Sequence, residues 1–438
     1  MFAEEAAAVL PTPNPLRDRL RAALQQPLRG TPAPRIESVT ELSDLSMLGG
    51  RWFQSPLGPG YVVESVYEPG HEHGRIALHR ALTVDPLRLA GQTKDARLGA
   101  QHPRDFVYVD TETTGLGGAG AMVFLAGVAR FDGSWLKLRQ YLLPAPQYEG
   151  GLLGGLGEEL AHAGALVSYN GKSFDLPMLE SRYILSRQRP EFRKLPHLDL
   201  LHPNRRLFKG TYDSHKLTRM ELELLGFERD DDCPSAEVPE RYFRFQRTSD
   251  PTHILPVLRH NAWDILSLVA LAAHLAAVCD GDEQPFQAAR AAEYAGNDAG
   301  AVAWYERALG GRLERNERLE AMEHCARLQG RLGRWDEAAR WWQAMIDEPR
   351  CRRLRPYVEL AKIAEHREKD YAAAYVVVSE AVSLASRGLI RPGAPGSDVS
   401  VEALEHRRVR LEAALRRRSP HPPTPSPDCA GEGEVQPR

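Results

Sequence analysis

Asp110 and Glu112 stand one residue apart at the end of the apolar run Phe106-Val107-Tyr108-Val109. Side chains at i and i+2 of a strand share a face, so both carboxylates can address one point. Asp175 comes later, in Tyr169-Asn170-Gly171-Lys172-Ser173-Phe174-Asp175. His260 and Asp264 follow four residues apart, on one face of a helix. Hard oxygen donors suit Mg²⁺ or Mn²⁺, and several converging carboxylates are what two-metal phosphodiester hydrolysis requires. Each piece also has a plain structural explanation. Asp110 could close a strand, Asp175 could cap a helix, and His260 could be a satisfied core histidine. The ordered set D-x-E, N-x4-D, H-x3-D over residues 110–264 favours chemistry, because an Asp inside the apolar stretch 254–278 needs a compensating partner.

Two phosphate-binding readings compete for the same residues. Gly115-Leu116-Gly117-Gly118-Ala119-Gly120 satisfies the dinucleotide-binding pattern G-x-G-x-x-G. That turn runs from strand to helix, however, whereas here Asp132-Gly133-Ser134 signals a hairpin shortly afterwards. No nicotinamide or nucleotide cofactor is therefore expected. Gly171-Lys172-Ser173 has the tail of a P-loop, but Leu166 occupies the position of its first glycine.

The elements that must position the carboxylates follow from periodicity. Residues 1–35, rich in Pro and Arg, are expected to be flexible. Residues 36–104 suggest a small β-rich lead-in, and 105–280 have α/β grammar: strand, hairpin, then alternating helices and strands ending in a long apolar helix. This predicts a mixed sheet flanked by helices. Residues 284–388 are amphipathic and helical, with related segments at Gly296-Asn297-Asp298, Gly333-Arg334-Trp335 and Lys369-Asp370-Tyr371. They recur 36 or 37 residues apart, close to the ~34-residue tetratricopeptide period. Residues 389–438 are expected to run from partly helical to disordered and Pro-rich.

Composition limits the classes. The chain has 438 residues, 42% apolar and 26% charged, with net charge −3. No apolar run reaches the roughly 18–20 residues of a membrane span, and the acidic N-terminus lacks a secretion signal's basic start. Five scattered cysteines without a C-x-x-C pair suit a reduced, cytoplasmic protein rather than a disulfide or zinc framework. Between Arg182 and Arg219 there are ten Lys/Arg against three Asp/Glu. Within that run Arg205, Arg206 and Lys209 alternate with Phe208 and Tyr212, a pattern that suits either a single-stranded backbone with stacked bases or a solvated loop. Asp199 in His197-Leu198-Asp199 reads as a structural strand end, and His71-Glu72-His73 as a surface loop.

As a set, "VDTETTGL", "YNGKSFDLPML" and "RHNAWDILSL" resemble the three motifs of the DEDD superfamily of ribonuclease-H-like 3′→5′ exonucleases. Together with "LPHLDLLHP" and a tetratricopeptide-like C-terminal region, the chain looks like bacterial YprB-type ribonuclease-H-like proteins. The resemblance implies that Asp110, Glu112, Asp175 and Asp264 hold two metal ions and that His260 orients or deprotonates the attacking water. His260 stands at the spacing of the superfamily's tyrosine-bearing subclass rather than its histidine-bearing one. The resemblance also implies that Thr113, Thr114 and Leu116 lie against the 3′-terminal nucleotide, with Asn170 and Phe174 shaping the same pocket. The expected activity is metal-dependent 3′→5′ hydrolysis of single-stranded DNA or RNA, with the helical repeats engaging a protein partner or distal substrate. The alternatives are an adaptor with an inactive nuclease fold and an endonuclease on structured nucleic acid.

Overall fold

The computed structural model describes residues 45–115, 120–281, 283–349, 351–391 and 399–418. Leu116, the segment 1–35 and the Pro-rich stretch from 419 lie outside them. Strands β1 (Arg51–Ser55), β2 (Gly58–Tyr67), β3 (Glu72–His73), β4 (Ile76–Ala77), β5 (Phe106–Thr113), β6 (Val123–Asp132), β7 (Trp135–Leu142), β8 (Ala165–Ser168) and β9 (His197–Asp199) follow in chain order. Among the described residues seven of them form one mixed sheet, β1-β2-β7-β6-β5-β8-β9, while β3 and β4 form a separate hairpin. The first five neighbours pair antiparallel; β8 joins β5, and β9 joins β8, in parallel. The β-rich lead-in thus continues the sheet, since β2 pairs with β7 from Tyr61↔Leu142 to Tyr67↔Leu136.

Strand β5 is central because it is apolar on both faces. Phe106 and Tyr108 join the core that contains Ile265, Leu268 and Val269, and Val107 and Val109 join the one that contains Leu152, Leu156 and Leu179. Around the sheet lie α1 (Pro86–Thr93), α2 (Glu149–Ala161), α3 (Asp175–Leu185), α4 (Leu201–Leu207), α5 (Leu217–Met220), α6 (Val238–Thr248) and α7 (Leu255–Asp280). Helix α7 is long and apolar enough to cross a membrane. Its apolar residues are instead buried in the core against the sheet. It starts with Pro in its first turn and stops at Gly281, whose φ of +85° ends the helix in the left-handed region.

Helix α7 comes close to the sheet at Gly127, which pairs with Asp110 across β6 and β5. A Cβ on Gly127 would lie 2.2 Å from Asn261 Oδ1. The missing side chain is what lets Asn261 reach the sheet.

The C-terminal part is helical: α8 (Pro285–Tyr294), α9 (Asp298–Leu309), α10 (Arg315–Arg331), α11 (Trp335–Asp347), α12 (Arg355–Ile363), α13 (Tyr371–Ser386) and α14 (Val401–Arg418). The three related sequence segments fall at the turns into α9, α11 and α13. Each turn has a left-handed residue, Gly296 at φ +85°, Gly333 at +76° and Lys369 at +60°. The small residues of the pattern, including Ala301, Ala308, Ala338 and Ala374, are buried.

Gly127→Ala must displace Asn261 and is expected to lower stability by about 1–3 kcal/mol, read as a lower urea midpoint at unchanged m-value.

Candidate active site

The carboxylates sit where β5, α3 and α7 meet. Pairing along β5 runs straight to Glu112↔Leu125 and shifts register between Glu112 and Thr113. Asp110 and Glu112 therefore fall on the same face as Phe106 and Tyr108, towards α7. Asn261 of α7 donates from Nδ2 to Asp110 Oδ2 at 2.9 Å and accepts on Oδ1 from Gln140 Nε2 at 2.9 Å. Gln140 is fixed in turn by a 2.7 Å bond to the Leu258 carbonyl. Asp175 is the first residue of α3, after the N-cap position Phe174. Oδ1 accepts from Thr111 N at 3.0 Å and Thr111 Oγ1 at 2.5 Å, which ties α3 to β5.

On α7, His260 and Asp264 are both buried. Glu112, His260 and Asp264 offer ligand atoms that all lie within 4.8 Å of one another. His260 Nε2 is 3.4 Å from Asp264 Oδ2 and 4.0 Å from Glu112 Oε1. The sequence-derived set therefore converges: three of its members form one cluster, and Asp110 and Asp175 flank it.

The cluster is short of positive charge. Withdrawal from water, then repulsion from Asp264, Asp175 and Glu112, holds Asp110 well above the usual carboxylate range. Glu112 is raised well above its usual value by the same kind of burial and by Asp264 and Asp175, with Arg229 opposing. Burial pushes Asp175 up to about 6 although the Thr111 bonds pull it down. Carboxylates that strain against shared ionisation, with an imidazole beside them, form a donor set that fits a hard or borderline divalent cation.

A loop before α6 supplies residues that periodicity and motif spacing did not reveal. Arg229, with 5% of its side chain exposed, forms a two-bond fork on Glu221 at 2.6 and 2.8 Å and also bonds Asp264. It reaches Asp232 Oδ2 at 3.1 Å. Asp232 Oδ1 lies 2.8 Å from His260 Nδ1. Burial raises Asp232, but the contacts with His260 and Arg229 outweigh that and leave it below its usual value. Glu221 also accepts from Ser267 Oγ at 2.6 Å, and Ser267 lies 2.7 Å from His73 Nε2. His73 is thus buried under Phe227 rather than placed on a surface loop, and burial lowers its pKa to about 3. In sequence, Glu-Arg-Asp-Asp-Asp at 228–232 looks like an ordinary solvated charge run, which is why Arg229 and Asp232 escaped notice.

Beside the carboxylates opens a cleft of about 960 Å³ lined by Asp110, Thr113, Asn170, Phe174, Ile184 and Leu185, among others. Phe174, Ile184 and Leu185 are exposed, so one wall is apolar. Thr113 and Asn170 were expected in such a pocket. Asn170 adopts φ +66° and donates its backbone N–H to Asp199 Oδ1 at 2.7 Å. Asp199 also accepts from Lys172 N at 3.1 Å and Leu201 N at 3.2 Å, so its strand-end position serves to hold this loop. Thr114 closes the turn after β5 by exchanging two 2.9 Å bonds with Met122.

The basic run is only partly turned outward. Phe208 is buried in the core and cannot offer a stacking face. Arg206 lies 3.4 Å over the Tyr294 ring and bonds Gln92, which makes it a brace between α4, α1 and α8. Arg205 and Lys209 are exposed, and none of the three lines the cleft.

Residues 107–276, which contain every member of the cluster, match the RNase_H superfamily. The chain is also 31% identical over 332 residues to the uncharacterized protein YprB of Bacillus subtilis (strain 168), covering 73% of this chain and 79% of that one. This protein belongs to the ribonuclease H superfamily. A ribonuclease-H-like domain with an acidic cluster beside an open cleft points to a hydrolase acting on nucleic acid.

Because burial pushes Asp175 up to about 6 and holds Asp110 and Glu112 well above the usual carboxylate range, cation binding must displace protons from the cluster in this pH region. The thermal stabilisation conferred by saturating Mn²⁺ is expected to grow as pH rises through about 6, measured as the difference in Tm with and without the ion. A shift independent of pH from 5 to 8 contradicts this.

Proposed function

We propose that the protein is a metal-dependent 3′→5′ exonuclease on single-stranded DNA or RNA. The observation that carries this reading is the cluster of Glu112, His260 and Asp264, with Asp110 and Asp175 close enough to repel it, beside an apolar-walled cleft that Asp110 and Asp175 line. Asp110, Glu112, Asp175 and Asp264 would hold two divalent ions, Mg²⁺ or Mn²⁺, which would supply charge neutralisation at the phosphate and an activated water near neutral pH.

The chain's own residues do the positioning. Gln140 and Asn261 fix the Asp110 carboxylate, Thr111 fixes that of Asp175, and Arg229 fixes that of Asp264. Phe174, Ile184 and Leu185 offer apolar surface against which unstacked bases lie, which favours single strands because a paired duplex hides those faces. Thr113 and Asn170, which line the same cleft, contact the terminal nucleotide. The helical hairpins from α8 to α13, read as tetratricopeptide-like repeats, bind a protein partner or the distal part of the strand.

Wild type with Mn²⁺ is expected to shorten 3′-labelled single strands from the labelled end, and Asp110→Ala to lose at least about 100-fold in rate. Circular single strands remain intact for an exonuclease and are nicked by an endonuclease. Equal inertness of wild type and variant on DNA and RNA removes the enzymatic reading and leaves an adaptor.

A further inference from the structure

His260 is the unusual member of the cluster. Its side chain is only 6% exposed, and its two ring nitrogens face opposite surroundings. Nδ1 lies 2.8 Å from Asp232 Oδ1 and 3.2 Å from Arg229 Nη1. A carboxylate only accepts and a guanidinium only donates. The shorter contact decides: Nδ1 carries the proton and donates it to Asp232, while the Arg229 fork is already engaged by Glu221, Asp232 and Asp264. With Nδ1 turned to Asp232, Nε2 is the ring nitrogen left to face the cluster. That atom has no hydrogen-bond partner among the described residues. It points between Asp264 Oδ2 at 3.4 Å and Glu112 Oε1 at 4.0 Å.

A ring nitrogen and two carboxylates turned towards one another leave a gap that a positive charge would fill, and all three atoms are of the kind that bind a divalent cation. We propose that His260 Nε2 is a ligand of the bound divalent cation, together with Glu112 and Asp264, and that Asp232 is the positioning residue that fixes the ring for it. This rests on the reading that a divalent cation binds at the cluster, and it changes what His260 does there. A nitrogen committed to the ion cannot also accept the proton of the attacking water, so His260 holds the cation rather than acting as a base. A histidine ligand that passes its other N–H to a carboxylate has a fixed tautomer and greater basicity. Imidazole also shifts preference away from Mg²⁺, which favours oxygen donors, towards Mn²⁺ and its heavier neighbours.

The ion alone tests this. With Mn²⁺ added to the full chain, pulsed electron paramagnetic resonance is expected to show a directly bound ¹⁴N in wild type, lost in His260→Gln. Titration is expected to give Mn²⁺ affinity about 10- to 100-fold weaker in Asp232→Ala, with Mg²⁺ affinity changed much less. Asp232→Asn keeps an acceptor oxygen towards Nδ1 and is expected to retain the nitrogen signal, which separates loss of positioning from loss of folding. Mn²⁺ bound without a nitrogen coupling overturns the proposal and leaves the hydrolytic reading intact, as does an unchanged Mn²⁺ affinity in Asp232→Ala for the role of Asp232. Absence of any Mn²⁺ binding overturns it as well. A nitrogen coupling in a protein that cleaves no strand supports the ligand assignment and removes only the exonuclease reading.

Discussion

The mutual repulsion of carboxylates at the junction of β5, α3 and α7 is the constraint on which the rest of the site depends. Nothing about burying Asp110, Glu112, Asp175 and Asp264 side by side stabilises the fold, and the raised pKa values of Asp110, Glu112 and Asp175 record the cost. The surrounding polar groups answer that cost one carboxylate at a time. An amide serves Asp110, a threonine serves Asp175 and a guanidinium serves Asp264. Each anchor comes from a different element, so the site exists only when the sheet, α3 and α7 have assembled. Partial compensation is the useful state, because full neutralisation by protein cations would leave nothing for a metal ion to do.

Much of this was legible in the sequence where a short-range rule applied. Alternation on β5 and the four-residue step on α7 placed Asp110 with Glu112 and His260 with Asp264. Two periodicities told helix from strand, and the mixed sheet with a helical C-terminal part followed from their order. What stayed hidden depended on contacts between residues distant in the chain. Asn261 looks like one more polar residue in an apolar helix until Gly127, 134 positions earlier, is seen to make room for it. Arg229 and Asp232 were masked by a charge run whose default reading is solvation. His73 was misjudged for the converse reason: flanked by His71 and Glu72 it looks wet, yet Ser267 and Phe227 enclose it.

The basic segment shows the limit of composition as evidence. Arg206 counts towards a local positive excess, but its guanidinium is engaged by Tyr294 and Gln92 inside the protein. Phe208 is aromatic but inaccessible. Charge and aromaticity become a binding surface only when the fold leaves them outward, and here the apolar wall at Phe174, Ile184 and Leu185 is the part left open.

The chain of bonds His73–Ser267–Glu221–Arg229–Asp264 links the small β3–β4 hairpin to a carboxylate of the cluster through side chains alone. A hairpin of two-residue strands is too short to be rigid by its own pairing. It is nevertheless clamped from beneath by groups that also brace Asp264. The covering layer and the acidic cluster therefore share one set of constraints, so loosening at the periphery would be felt as altered geometry in the interior. A hairpin that contributes nothing to the lining of the cleft is thereby part of the tolerance to which the carboxylates are machined.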